Sequence, residues 1–223
     1  MKKLHKENGK TGKELDLKNN RKTNNLHHYF ILNKPYNVVS QFVSPHNVAL
    51  LSDLKFNFPE GTHAIGRLDN HSEGLLLLTT DKRVTRLLFL GDEPHQRTYL
   101  VMVQNKMIAE TLQRLKEGIS IKIKTGENYI AVPDAVEIVK DPATLYPHST
   151  DYREKFPHTW LLITLTEGKF HQVRKMVLAV KHRCLRLIRL SIEDIILNDL
   201  KPGEVKELDQ QTFFHLLNIK LPE

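Results

Sequence analysis

The feature of this chain best placed to do chemistry is a carboxylate set between a basic residue and a strand-forming apolar run. In GRLDNHSEGLLLLTTD, residues 66–81, Asp69 follows Gly66-Arg67-Leu68, and a polar turn from Asn70 to Gly74 separates it from Leu75–Leu78. A short apolar run bounded by turn residues suits a buried strand, so this Asp stands on a turn held by the fold rather than on a loose loop. Such a carboxylate can serve as a nucleophile or as a base. Either role needs it ionised where water is excluded, and because burial raises a carboxylate's pKa, a cation must stand nearby to offset that. An isolated Asp beside Asn and Ser would otherwise read as a turn former.

Other chemically capable residues lie downstream. Tyr99 alternates with Val101 and Val103 on an expected strand, a position that by itself means core or edge packing. From Lys169 to Arg189 there are seven Lys and Arg (Lys169, Arg174, Lys175, Lys181, Arg183, Arg186, Arg189) and no acid, with His171 and His182 among them. A solvated basic face has this composition, and so does a surface for an RNA backbone, where phosphate contacts position the strand and splayed bases select it. A glycoside hydrolase built on Asp69 and Glu73 would gain nothing from so basic a surface. The single Cys184 excludes an internal disulfide and any multi-cysteine zinc site. No HExxH pairing occurs among the twelve histidines, so no structural metal is expected.

The elements that must position these residues follow from periodicity and punctuation. His28–Leu32 reads as a strand ending at Asn33-Lys34-Pro35, and 63–68 leads into the Asp69 turn. Asp81–Leu90 and Met107–Glu117 read as helices, the second with Ile108, Leu112 and Leu115 on one face and Gly118 as its stop. Strands are expected at 119–124, 129–139 and 160–165, with a loop over 140–158. A helix beginning near Gly168 would bury Phe170, Val173, Met176, Val177 and Val180, turning His171, Arg174 and Lys175 largely outward. Few helices among antiparallel-looking strands point to an α+β fold.

The 223 residues, 40% hydrophobic and 26% charged, are an ordinary globular balance. No apolar stretch approaches the ~18 residues that cross a bilayer, and no apolar core follows the N-terminal lysines, so a cytoplasmic protein without membrane contact is expected. Residues 1–25 carry eight Lys and Arg against three acids, within a net charge of +7 for the whole chain. Residues 1–26 are therefore expected as a disordered basic tail, either simply solvated or gripping nucleic acid through phosphates, ahead of one domain over 27–223.

Taken in order, the motifs resemble the RsuA/RluB/RluE/RluF family of ribosomal RNA pseudouridine synthases. GRLDxxSEGLLLLT matches the stretch bearing that family's catalytic Asp. FILNKPYNVVSQF (30–42) is similar to its opening strand and NKP turn, RTYLV (97–101) to its tyrosine strand, and TEGKFHQVRKM (166–176) to its basic motif. LRLIRLSIEDIILNDLKPGE (185–204) is similar to its closing segment. The resemblance spans nearly all of residues 29–204. Many members carry a small S4 RNA-binding domain ahead of the catalytic one; the polar sequence before Tyr29 cannot encode it, which makes the RluE-like branch the nearest.

The resemblance implies a mixed, mainly antiparallel sheet in two halves with a central catalytic cleft. It also implies isomerisation of a specific uridine in large-subunit (23S) ribosomal RNA without a cofactor; separately, a monomer is expected. Asp69 would be the catalyst, by attack or by proton abstraction, and Arg174 its ion-pair partner. Tyr99 would stack on the displaced uracil and help remove the C5 proton. Arg67 would fill the gap left by the extruded base or grip a phosphate, since flipping a base costs a few kcal/mol. Lys34, Arg97, Lys169, His171 and Lys175 would bind RNA, and Leu185 and Leu187 would wall the uracil pocket or pack in the core.

Three positions depart from the family pattern. Arg97 replaces a usual Lys, Thr80 a usual Asn, and Glu193 a usual Gly at a turn, where a side chain resists positive φ. The rival reading is a non-catalytic RNA-binding or ribosome-assembly protein on the same fold. The presence of Asp69, Tyr99 and Arg174 together speaks against it, because a pure binding protein has no use for a carboxylate that repels phosphate.

Overall fold

The structure, a computed structural model, describes residues 27–89, 94–151 and 156–220. The basic tail expected over 1–26 lies outside them. The strands are β1 (Tyr29–Lys34), β2 (His63–Ile65), β3 (Glu73–Thr79), β4 (Arg97–Gln104), β5 (Ile119–Lys122), β6 (Asn128–Ala131) and β7 (Ala135–Val139). They continue with β8 (His158–Leu165), β9 (Cys184–Ile192), β10 (Ile195–Ile196) and β11 (Val205–Leu208). The helices are α1 (Arg83–Phe89), α2 (Ala109–Glu117), α3 (Gln172–Ala179) and α4 (Gln210–Leu216).

One nine-stranded sheet carries the order β11-β1-β3-β9-β4-β8-β7, with β2 beside β3 and β10 beside β9, while β5 and β6 form a separate hairpin. The pairings of the large sheet are antiparallel except β3 with β9, where Glu73 lies opposite Ile188 and Gly74 opposite Arg189. That short parallel contact is the seam between two halves. Gly74 is required there: its φ is +97°, and a Cβ would stand 2.3 Å from the Arg189 carbonyl oxygen.

Strand alternation distributes the core. Tyr29 and Ile31 of β1, Leu75 and Leu77 of β3, and Leu100 and Met102 of β4 enter one cluster with α1 and α4, which runs across one face of both halves. The opposite face carries two separate clusters. Phe30, Leu32, Leu76, Leu78 and Leu68 form one over β1 and β3. Val101, Val103, Leu161 and Ile163 form the other, covered by Val173, Met176 and Val177 of α3 and by the β5–β6 hairpin. The leucine run of β3 is continuous because both its faces are buried. Between the two clusters, above the seam, the sheet is left open as a cleft.

Several expected boundaries move for local reasons. α3 begins at Gln172 instead of near Gly168 because His171 takes a left-handed φ of +54°, leaving Phe170 off the helix and exposed. Ile108 precedes α2 in extended conformation and faces solvent, so only Leu112 and Leu115 of its expected stripe pack inward. The strand expected over 129–139 breaks at Val132-Pro133-Asp134 into β6 and β7. Asp81 caps α1 from outside, its Oδ1 accepting from the Arg83 backbone N–H at 3.0 Å. Glu193 does adopt positive φ, +47°, and its carboxylate accepts from the Gln96 backbone N–H and from Asn218 Nδ2, which holds the strained turn in place. Within the expected loop over 140–158, Tyr146 is fully buried in the first core and its hydroxyl accepts from Asn33 Nδ2.

Candidate active site

Asp69 sits where the third cluster ends and β3 begins. Leu68 before it is buried, its backbone N–H and carbonyl both bonded to Ser40 Oγ at 3.0 and 2.9 Å. After it, the Ser72 N–H closes a turn onto the Asp69 carbonyl, and the Asn70 carbonyl accepts from the Asn37 N–H. The backbone on both sides is thus pinned, while the Asp69 side chain keeps 37% of its exposure and opens into the cleft.

The nearest basic side chain differs from expectation. Arg174 does not pair with Asp69; its Nη2 donates to the His71 carbonyl at 2.6 Å and lies 3.3 Å from Ser72 Oγ. Arg174 lies on α3, whose start is set by the left-handed turn at His171, and from there it reaches the far limb of the Asp69 turn instead of the carboxylate. It is His171, at that turn, that brings Nε2 to 3.4 Å from Asp69 Oδ1.

The cleft floor is a row in register across four strands: Lys34 opposite Gly74, Gly74 opposite Arg189, and Arg189 opposite Tyr99. Residues so aligned share one face of the sheet. Tyr99 is half-buried against the second cluster, with a register shift just before it. Arg189 is buried, its Nε donating to the Leu75 carbonyl and its Nη2 lacking a protein hydrogen-bond acceptor. Burial lowers its pKa, and the Tyr99 phenol beside it offsets part of that shift. In sequence Arg189 counts only as one member of the basic stretch 169–189; its place inside the apolar run LRLIRL is the signal that it is buried with partners or faces a cleft.

Lys34 is no RNA contact. It is fully buried, and Nζ donates to the carbonyls of Pro35 at 2.8 Å and Val38 at 2.6 Å, with that of Asn70 at 3.5 Å, tying the NKP turn to the Asp69 turn. Burial pushes its pKa down to about 8, against the opposing pull of Glu73 and Asp69. The unfolded chain therefore holds the Lys34 proton up to its ordinary 10.5, and across that window folding gains stability as pH rises. Relative to Lys34→Met, the wild type should gain roughly 2–3 kcal/mol between pH 8 and 10 in urea titrations. Parallel pH profiles would mean that water relaxes the ammonium.

Arg97, also expected on RNA, is buried. Its Nη1 donates to the His95 and Thr166 carbonyls at 3.2 and 3.3 Å, and its guanidinium lies 5.1 Å from the Phe89 ring centroid, so it anchors the start of β4. The basic stretch 169–189 is correspondingly thinner than its composition: Arg186, Arg189 and His182 are buried, while Lys169, Lys181 and Arg183 are exposed and Arg174 and Lys175 half-buried. Arg186 is consumed by a bidentate pair with Glu73, at 2.8 Å to each oxygen. That pair also removes Glu73 as a second catalytic carboxylate for glycoside hydrolysis. Arg67 is exposed and directly precedes the buried Leu68 before Asp69. Leu185 and Leu187 do not wall one pocket. A bulge between the pairs Met102–Arg186 and Val103–Cys184 inverts the alternation, so Leu187 joins the second cluster on the cleft face and Leu185 packs against the first.

Among the described residues, no helix is long and apolar enough to cross a membrane. Residues 28–179 match the family model for RNA pseudouridylate synthase. The ribosomal large subunit pseudouridine synthase E of Vibrio parahaemolyticus is 35% identical over 180 residues, 80% of this chain and 72% of that protein. The protein of the same name from Xanthomonas axonopodis pv. citri is 35% identical over 174 residues, 77% of this chain and 89% of its own. Among solved structures, a crystal structure of a pseudouridylate synthase superposes with a TM-score of 0.68 at 27% identity, covering 85% of this chain and 74% of the other.

Proposed function

The chain belongs to the RNA pseudouridylate synthase family, and from that premise we propose that it isomerises one uridine of large-subunit ribosomal RNA, as the names of its relatives state for them. The observation that carries the reading onto this chain is Asp69 itself, the family's carboxylate, pinned by its backbone on both sides and open to a cleft floored by Arg189 and Tyr99.

The reaction breaks the C1′–N1 bond, turns the uracil and joins C1′ to C5, with no change in oxidation state and no group that a cofactor must carry. Asp69 either attacks the nucleotide or takes a ribose proton, and both schemes place its carboxylate against the flipped residue. Negative charge grows on the uracil as the glycosidic bond opens. The buried cations Lys34 and Arg189 beneath the cleft oppose that charge in a low-dielectric site. In this reading Tyr99, next to Arg189 in the row, stacks on the uracil and assists loss of the C5 proton. Arg174 acts as a positioning residue by holding the far limb of the Asp69 turn, and Arg67 fills the gap in the RNA or grips its phosphate. Lys169 and Lys175 supply phosphate contacts. The protein acts in the cytoplasm as a monomer.

The test is to map pseudouridine across ribosomal RNA by carbodiimide-adduct primer extension in a strain deleted for the gene. Loss of one large-subunit site, restored by the wild-type gene, is expected. An unchanged map would favour the non-catalytic RNA-binding alternative.

A further inference from the structure

The nucleotides on either side of the target uridine have no place in the arrangement above, yet two pairs of stacked rings stand at the mouth of the cleft. On one side Tyr36 lies against His71, with ring centroids 5.3 Å apart and planes at 25°. On the other Phe170 lies against His171, at 3.8 Å and 19°. In each pair the imidazole is tied to the Asp69 turn. His71 lies two residues beyond Asp69 with its carbonyl held by Arg174, and His171 Nε2 approaches the carboxylate itself. The outer rings are largely in water, Tyr36 at 54% and Phe170 at 55% exposure.

Both aromatics are presented by strained backbone: Asn37, directly after Tyr36, has φ +65°, and His171, directly after Phe170, φ +54°. A non-glycine residue takes that conformation only where surrounding contacts hold it, and here it turns a large ring outward when a regular helix would have buried Phe170. Cations accompany the second ring, with Lys175 Nζ 5.2 Å from the Phe170 centroid and exposed Lys169 one residue before it.

We propose that the two pairs are stacking platforms for the unpaired bases flanking the target uridine, one on Tyr36–His71 and one on Phe170–His171, with the uridine between them over Asp69. Stacking on a ring already backed by an imidazole recovers energy lost when the target base leaves its own stack, and it asks nothing of base identity. The nearby ammonium groups then meet the phosphates of the splayed strand. The inference rests on the pseudouridine synthase reading and adds to it the RNA conformation selected: an unpaired loop, because paired neighbours cannot turn their faces to the two rings.

The test is tritium release from uridine C5 in ribosomal RNA of the deletion strain, supplied free and as large-subunit particles. Tyr36→Leu and Phe170→Leu are each expected to raise KM about tenfold, with kcat within about twofold, while Tyr36→Phe and Phe170→Tyr keep wild-type values. Thermal melts of the four variants check the fold, which exposed positions should leave intact. KM unchanged in both leucine variants, or lost equally in the aromatic replacements, would overturn the platforms while the enzyme reading stood. A wild type that releases no tritium from either substrate would take down that reading, and the platforms with it.

Discussion

Purified Asp69→Asn is expected to form no detectable pseudouridine, a loss of at least about 10⁴-fold, while folding and binding RNA as the wild type does. The amide matches the carboxylate in shape and keeps an oxygen to face His171 Nε2 at 3.4 Å, and the turn is held by Ser40 Oγ on the Leu68 backbone and by the Ser72 N–H on the Asp69 carbonyl, which the substitution does not touch. What it removes is charge and basicity, which both chemical schemes need. Glu73, the next carboxylate along the motif, cannot substitute, since it is locked to Arg186. RNA affinity should hold or rise, because a negative group facing phosphate is gone. Single-turnover conversion by Asp69→Asn at more than about a thousandth of the wild-type rate would show that the reacting group lies elsewhere.

The strands that build the site were legible in sequence because their signals are local. The leucine run of β3, the NKP stop of β1 and the alternation around Tyr99 each declare themselves over a few residues, and the motifs declared the Asp. The fate of the basic residues was not legible. Lys34, Arg97, Arg186 and Arg189 are as charged in sequence as Lys169 or Arg183, yet the sheet buries these four; Lys34 is met by carbonyls of its own turn, and each arginine by a partner distant in the chain. Arg186 meets Glu73 113 positions away, and Arg97 meets the Thr166 carbonyl 69 away. Phe170 erred the other way. Its helical spacing with Val173 and Val177 marked it for the core, but the left-handed turn at His171 took it off the helix, and no periodicity reports a φ. Leu185 and Leu187 likewise parted because a bulge, invisible in composition, reversed the alternation between them.

The Glu73–Arg186 pair carries the largest expected effect on stability. Both side chains are about a tenth exposed, and the pair lies at the first residue of β3, against the two-residue parallel seam that joins the halves of the sheet. Replacing Arg186 with Met leaves the Glu73 carboxylate buried and strips a donor from the His148 and Ser149 carbonyls, each of which accepts from Nη1 at 2.9 Å. Breaking one side of such a pair costs about 3–5 kcal/mol, because the surviving charge has lost both its water and its partner. Glu73→Leu should cost somewhat less, since the guanidinium keeps those two carbonyls. The double variant, with two apolar side chains meeting across the seam, should recover most of the loss, leaving the carbonyls as the main residue of damage. Urea unfolding of the four proteins measures this cycle. Single variants within about 1 kcal/mol of wild type would mean that water reaches the pair and that the seam is held by the backbone approach at Gly74 alone.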